Sequence, residues 1–224
     1  MGLYTSHHPL ARSGLLAGVF LAFVRLYCRL SVEGFEHVPL EGPFVLAPNH
    51  SSHVDTAVIF AALPRELRRR VLAAAAKDYF FDNGPRQFFT RLLFNTIPVP
   101  RDRVASGDPL RHVVRALREG YGVLLFPEGT RSQSGELGPF RSGIGRLADE
   151  FPDVPIIPVW VEGSARVLPK KTALPIPRPA RVTVRFGAPL ERAPAARGDK
   201  TSWRAVASRL REAVMQLRPR GGRR

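Results

Sequence analysis

The chain has 224 residues, 44% of them hydrophobic and 24% charged, a composition that supports one sizeable ordered core and excludes an intrinsically disordered protein. Its formal net charge of +15 favours an anionic partner: nucleic acid, anionic lipid, a phosphorylated substrate or an acidic carrier protein. The single cysteine, Cys28, excludes an internal disulfide and any CxxC metal or redox site, and in its apolar stretch it reads as a small buried hydrophobe.

Near the N-terminus, Gly14 to Val24 reads GLLAGVFLAFV and carries no charge. As a helix it spans only about 16 Å, against a hydrocarbon core of roughly 30 Å. A signal peptide has an apolar stretch of this length, but no small-x-small cleavage site follows. A buried core helix is the plainer reading. Arg12 before the run, and Arg25 and Arg29 after it, favour a helix that dips into one leaflet while its guanidinium groups reach for lipid phosphates.

Strand-like and helix-like segments then alternate. Pro43 to Pro48 (PFVLAP) is a short apolar strand ending in a loop, and Asp55 to Leu63 is a helix stopped by Pro64. Val71 to Ala76 is a strand candidate whose alanines suit a helix equally well, and Ile97 to Val99 is extended between prolines. Asp108 to Glu119 has helical spacing, with Leu110, Val113, Val114 and Leu117 on one face and Gly120 as a stop signal. Gly122 to Phe126 (GVLLF), Pro155 to Val161 and Arg181 to Phe186 are further strands. Residues 165–180, rich in proline and basic side chains, read as a long surface loop. Thr201 to Leu217 is an amphipathic helix capped by Thr201, with Trp203, Val206, Leu210, Val214 and Leu217 along one face. The Gly- and Arg-rich tail, Arg218 to Arg224, reads as disordered.

This order predicts an α/β fold: a mixed, largely parallel central sheet flanked by helices, with an N-terminal membrane-docking helix and a C-terminal amphipathic helix. The expected boundaries are 1–34 for the membrane-associating segment, 35–190 for the α/β domain, and 191–224 for the C-terminal helix and basic tail. Functional loops belong at the strand ends.

Two loops carry the chemistry. Asn49-His50-Ser51-Ser52-His53-Val54-Asp55 directly follows a strand. Within one continuous helix, His50 and Asp55 would stand about 140° apart. If His50 sits in the turn before the helix, the carboxylate can fix the imidazole tautomer and stabilise the imidazolium that forms, which makes a general base for a hydroxyl. His50, His53 and Asp55 also suggest a metal site, but no fourth ligand is evident, so none is expected. Ser51 and Ser52 lack the G-x-S-x-G setting of a covalent nucleophile. The segment by itself would read as structural.

The second loop, Phe126-Pro127-Glu128-Gly129-Thr130-Arg131-Ser132, ends the GVLLF strand with a carboxylate, a tight turn and a guanidinium. Arg131 suits a phosphate because its planar fork engages two oxygens, and Glu128 can accept hydrogen bonds from substrate hydroxyls. An ordinary turn with a local Glu–Arg pair has the same residues. A third segment, Ile97 to Arg103, adds Arg101 and Arg103; alone it reads as a solvated charged turn.

Together, and in this order, the segments resemble the glycerolipid acyltransferase family. Its NH-x4-D motif is matched by Asn49, His50 and Asp55, and its FPEGTRS motif in full by Phe126 to Ser132. Its arginine-ending extended motif is matched loosely by Ile97 to Arg101, and its proline-centred apolar strand by Val154 to Val159. The likeness covers about residues 35–190. It implies that His50, oriented by Asp55, deprotonates an acceptor hydroxyl, which attacks the thioester of acyl-CoA or acyl-carrier protein. Backbone amides near the third and fourth motifs would stabilise the oxyanion. Arg101, Glu128, Gly129, Thr130 and Arg131 would hold a phosphorylated lysophospholipid, with 1-acylglycerol-3-phosphate giving phosphatidic acid as the expected reaction. One departure stands out: where the family often has lysine, the chain reads Phe140-Arg141-Ser142-Gly143.

The resemblance implies no cofactor, no metal and no nucleic acid. The partners it implies are a thioester donor, a lysophospholipid and an anionic membrane surface on the cytoplasmic face. A lyso-ornithine lipid is an alternative acceptor. A hydrolase using the same His–Asp pair and a basic nucleic-acid-binding module are alternatives of other classes; the second lacks interleaved aromatics and any recognised motif.

Overall fold

Short apolar runs bounded by proline, glycine and polar loops become the strands. The computed structural model describes residues 10–76, 96–99, 107–132, 136–167, 178–191 and 198–219. Among them are β1 (Ser31–Glu33), β2 (Phe44–Pro48), β3 (Val71–Ala76), β4 (Thr96–Val99), β5 (Gly122–Leu124), β6 (Ile156–Glu162) and β7 (Thr183–Phe186). They form one sheet in the order β1-β7-β6-β2-β5-β3-β4. The five strands from β6 to β4 are mutually parallel; β7 runs antiparallel to β6, and β1 pairs parallel with β7. The sheet is thus mixed and largely parallel. β2 and β5 are buried throughout, which a strand covered on both faces requires and a continuous apolar run supplies.

The α-helices among the described residues are α1 (Leu10–Tyr27), α2 (Asp55–Ala62), α3 (Arg65–Arg68), α4 (Arg111–Arg118), α5 (Gly143–Glu150), α6 (Ser164–Val167) and α7 (Lys200–Gln216). Alternate residues of β2 face opposite ways: Phe44 and Leu46 join the core with α1 and α2, whereas Val45 and Ala47 join the core with α4, α5 and α7. α4 ends as its sequence predicts. Gly120 takes φ 81°, and the amides of Gly120 and Tyr121 donate back to the carbonyls of Leu117 and Ala116, closing the helix in a Schellman motif. The cap of α7 is Asp199 and not Thr201: its carboxylate accepts the Thr201 amide at 3.0 Å.

Some elements carry no strong signal in the sequence. β1 has three residues, and α3 and α6 have four each. α5 reads GIGRLADE and is assembled by tertiary contact, its Gly145 lying directly against the backbone of Trp203 in α7. The expected loop at 165–180 begins inside α6, and its residues 168–177 lie outside the described residues. Of the tail, Arg218 is ordered: it pairs with Glu136 at 2.9 Å and stands 5.8 Å from the centre of the Trp160 ring. Residues 220–224 lie outside the described residues.

α1 divides into two faces. Leu21 and Val24, with Cys28 just past the helix end, are buried in the core beside α2, and that burial pushes the Cys28 thiol up. On the other side Leu15, Leu16, Val19, Phe23 and Leu26 are between 57 and 80% exposed. Among the described residues, no helix is long and apolar enough to cross a membrane.

A Cβ at Gly145 would stand 2.1 Å from the Trp203 carbonyl oxygen, whereas one at Gly18 in α1 meets nothing within 4 Å. Gly145→Ala is expected to lower unfolding free energy by about 1–3 kcal/mol, because backbone must move to admit the methyl. Gly18→Ala is expected to leave it unchanged or raise it by up to about 1 kcal/mol through helix propensity. Urea titration of both variants checks this; equal stabilities would contradict the close α5–α7 packing.

Candidate active site

The parallel strands deliver their loops to one edge of the sheet, the edge where open α/β folds bind ligands. β2 ends at Pro48, and the next side chain extends the ladder: Asn49 Oδ1 accepts the Val161 amide at 2.7 Å while its Nδ2 donates to the Val161 carbonyl at 3.1 Å. With Asn49 tied to β6, His50 is the first residue free to turn outward. The chain then folds back so that Asp55 opens α2, where a carboxylate also suits the positive end of the helix dipole.

Asp55 is fully buried. Its Oδ2 accepts three donors at 2.8 Å each: His50 Nδ1 and the amides of Ser51 and Ser52. The turn before the helix therefore brings together the two residues that a continuous helix would separate. Because the carboxylate oxygen only accepts, Nδ1 carries the proton in the neutral ring and Nε2 is the basic nitrogen. The His50 ring also stacks on Phe126, with centroids 4.0 Å apart and planes inclined by 28°.

The second loop is stitched to the first. Glu128 Oε1 accepts the His50 amide at 2.8 Å, Glu128 Oε2 accepts the Gly138 amide at 3.0 Å, and the Ser132 amide donates to the His50 carbonyl at 2.8 Å. Sequence reasoning expects Glu128 to meet substrate hydroxyls; the geometry shows a nearly buried carboxylate with each oxygen already accepting a backbone amide. Gly129 takes φ 71°, the left-handed conformation that favours glycine, and the Arg141 side chain lies over it. Arg141 closes the turn, its Nε donating to the Glu128 carbonyl at 3.2 Å and its amide to Pro127 at 2.9 Å. Ser51 and Ser164 share a hydroxyl hydrogen bond of 2.9 Å that links the first loop to the end of β6, a contact with no signal in either local sequence.

A cavity of about 500 Å³ opens at this edge, and His50, Gly129, Thr130 and Arg131 all line it. Its apolar wall includes Ala73, Ala74 and Ala75 of β3. The expected residues thus fall into three groups. His50, Gly129, Thr130 and Arg131 face the cavity; Asp55 and Glu128 stand behind it and hold the loops; Arg101 lies outside the described residues, as does Arg103. Arg141 and Arg146 also line the cavity. Arg146 forms a two-pronged pair with Asp108, at 2.8 and 2.6 Å, and the guanidinium beside it holds the Asp108 carboxyl below its ordinary range. Among the described residues, no three His, Cys, Asp or Glu side chains group as metal ligands, and His50 Nδ1 is committed to Asp55.

The chain is similar to known proteins in both sequence and fold. The model of the Acyltransferase family matches residues 29–162, more than half of the chain. The chain is 26% identical over 151 residues to the chloroplastic 1-acyl-sn-glycerol-3-phosphate acyltransferase BAT2 of Brassica napus, covering 64% of this chain and 40% of that protein. It is 30% identical over 154 residues to Tafazzin of Drosophila melanogaster, covering 66% of this chain and 40% of that protein. The chain thus spans about two fifths of the length of these relatives. Its fold is similar to the crystal structure of the 1-acyl-sn-glycerophosphate (LPA) acyltransferase PlsC from Thermotoga maritima, with a TM-score of 0.68, 22% identity, and coverage of 96% of this chain and 81% of that one.

The tie between the loops is measurable. Glu128→Ala leaves two backbone amides without their acceptor and is expected to cost about 2–5 kcal/mol of stability. Glu128→Gln keeps an acceptor for one amide and is expected to lose roughly half as much. Urea titration distinguishes them; wild-type stability in Glu128→Ala would show that the carboxylate does not hold the loops.

Proposed function

The chain belongs to the Acyltransferase family, and on that footing we propose that it moves a fatty acyl chain from acyl-CoA or acyl-carrier protein to the free hydroxyl of 1-acylglycerol-3-phosphate, giving phosphatidic acid. The observation that carries this reading is a single cavity lined by a histidine with a buried carboxylate behind it and by Arg131. Nε2 of His50 accepts the proton of the acceptor hydroxyl as its oxygen attacks the thioester carbonyl. Asp55 stabilises the imidazolium, and the proton passes to the departing thiolate. The thiolate is a good leaving group, so the scheme needs no covalent acyl-enzyme, no cofactor and no metal. Arg131 and Arg101 bind the acceptor phosphate, with the Gly129-Thr130 turn shaping the pocket beside it. A phosphate monoester is small and carries close to two negative charges at neutral pH, which suits more than one guanidinium.

The same reading accounts for α1. Its exposed face, Leu15 to Leu26, lies opposite the residues that anchor the helix to the core. Such a face, on a chain of formal charge +15, suits shallow insertion into an anionic leaflet. The proposed donors are water-soluble thioesters of the cytoplasm, so the cytoplasmic leaflet is the one proposed.

Steady-state kinetics with one acyl-CoA and three acceptors tests the chemistry. His50→Ala is expected to lower kcat by at least about 100-fold, with Asp55→Asn comparable and His53→Ala mild. Arg131→Ala and Arg101→Ala are expected to raise the acceptor KM about 10- to 100-fold with the donor KM little changed. Lysophosphatidic acid is expected to be preferred over lysophosphatidylcholine and lyso-ornithine lipid. A preference of more than about tenfold in kcat/KM for either zwitterionic acceptor would sink the acceptor assignment. Equal damage from His50→Ala and His53→Ala, together with loss of activity to a chelator, would favour a metal site.

Membrane docking is tested without deleting α1, whose inner face belongs to the core. The triple variant Val19→Ser, Phe23→Ser, Leu26→Ser is expected to remain folded and to lose most flotation with anionic liposomes. High salt alone is expected to release the unmodified chain poorly, because apolar burial is not screened. Complete release by salt, or undiminished flotation of the triple variant, would contradict insertion of this face.

A further inference from the structure

Asp55 fixes one atom of the His50 ring, and one atom does not fix a plane. With Nδ1 held at 2.8 Å from Asp55 Oδ2, the imidazole can still pivot about that contact and swing Nε2 away from the cavity. A second, flat constraint is needed, and Phe126 supplies it: its ring lies 4.0 Å from the imidazole centroid at an inclination of 28°.

The backbone that carries this ring is held on both sides. The next amide, Leu125 to Leu46, continues the β5–β2 ladder at 2.9 Å on one side of Phe126. On the other side, the Phe126 carbonyl accepts the Gly129 amide at 3.1 Å and Pro127 is buried. The Phe126 side chain packs against the core that contains α1 and α2, and it borders the same cavity as His50.

Resting on the assignment of His50 as the base, we propose that Phe126 is a positioning residue for proton transfer: its ring face sets the plane of His50, aims Nε2 into the cavity and favours the imidazolium once the proton has moved. The last effect has a physical basis in the negative face of the aromatic quadrupole, which attracts a cation more strongly than a neutral ring. An interaction that strengthens as charge develops acts on kcat, whereas one equal in both states acts on KM. No atom of Phe126 exchanges a bond or a proton in this role. Its position as the first residue of the Phe126 to Ser132 loop is then mechanistic as well as structural.

The test is kinetic, on the full chain with lysophosphatidic acid and one acyl-CoA. Phe126→Leu keeps an apolar side chain but removes the flat face, and is expected to lower kcat about 5- to 30-fold. The KM values of both substrates are expected to stay within about twofold. Phe126→Tyr restores the face and is expected to keep kcat within about threefold of the unmodified enzyme. In a His50→Ala background the Phe126→Leu change is expected to have no further effect on residual turnover, because the two residues act as one unit. Should Phe126→Leu fold poorly, its urea midpoint will show it, and Phe126→Met, which fills the space with a flexible apolar side chain and no flat face, replaces it in both backgrounds with the same expected outcomes.

The proposal is overturned if Phe126→Leu changes only KM, if Phe126→Tyr is as slow as Phe126→Leu, or if Phe126→Leu costs as much without His50 as with it. It is also overturned, with the base assignment untouched, if Phe126→Leu is fully active while His50→Ala is not. Full activity of His50→Ala itself would instead remove the assignment on which the proposal rests.

Discussion

A single carboxylate oxygen sets how the loop after β2 closes. Asp55 Oδ2 gathers His50 Nδ1 and two consecutive backbone amides, so the loop between β2 and α2 can close only around that oxygen. The rest of the site depends on this closure, because the loop it shapes is the one that Glu128 and Ser132 grip from β5. The grip follows from the sheet. The register that pairs Phe44 with Gly122 and Leu46 with Leu124 has an offset of 78 residues, and the same offset of 78 relates His50 to Glu128. Parallel pairing of β2 and β5 therefore carries through, past the end of the strands, into the contact between the two loops.

The electrostatics of the cavity sort its arginines by partner. Arg146 has its own counterion: Asp108 answers it with both oxygens, and the pair lies only about one third exposed. That hydrogen-bonded pairing also raises the Arg146 guanidinium above its usual value. Arg141 spends its Nε and its amide on the turn at 127–129 and so serves the geometry of the loop. Arg131 follows that turn directly and faces the cavity. Under the proposed function, a phosphate approaching His50 meets the positive charge of Arg131 at the cavity wall.

Much of this was legible in the residues, for identifiable reasons. β2, β5 and β6 are apolar runs because both faces are covered, and a run bounded by proline or glycine survives any register. The His50–Asp55 spacing and the Glu128–Arg131 loop lie within short windows, so local reading finds them. α5 was not legible, since GIGRLADE has two glycines and its helix depends on the fit of Gly145 against Trp203. The roles of Glu128 and Phe126 were hidden for a related reason. Each depends on contact with His50 across the sheet, which only strand order and register create. Local sequence marks Glu128 as a carboxylate near substrate; the fold surrounds it with amides. α1 shows the same limit, because the run of apolar residues does not say which of them face the core and which are left exposed.

The central claim is that this cavity joins a base to an acceptor-binding site and so transfers an acyl group to a bound hydroxyl in preference to water. Its most direct test is thiol release from acyl-CoA, followed with and without lysophosphatidic acid while lipid and free fatty acid are quantified by mass spectrometry. The account predicts that thiol release depends on the acceptor and is matched one-to-one by phosphatidic acid. Thiol released at the same rate without acceptor, with free fatty acid as the product, would contradict it.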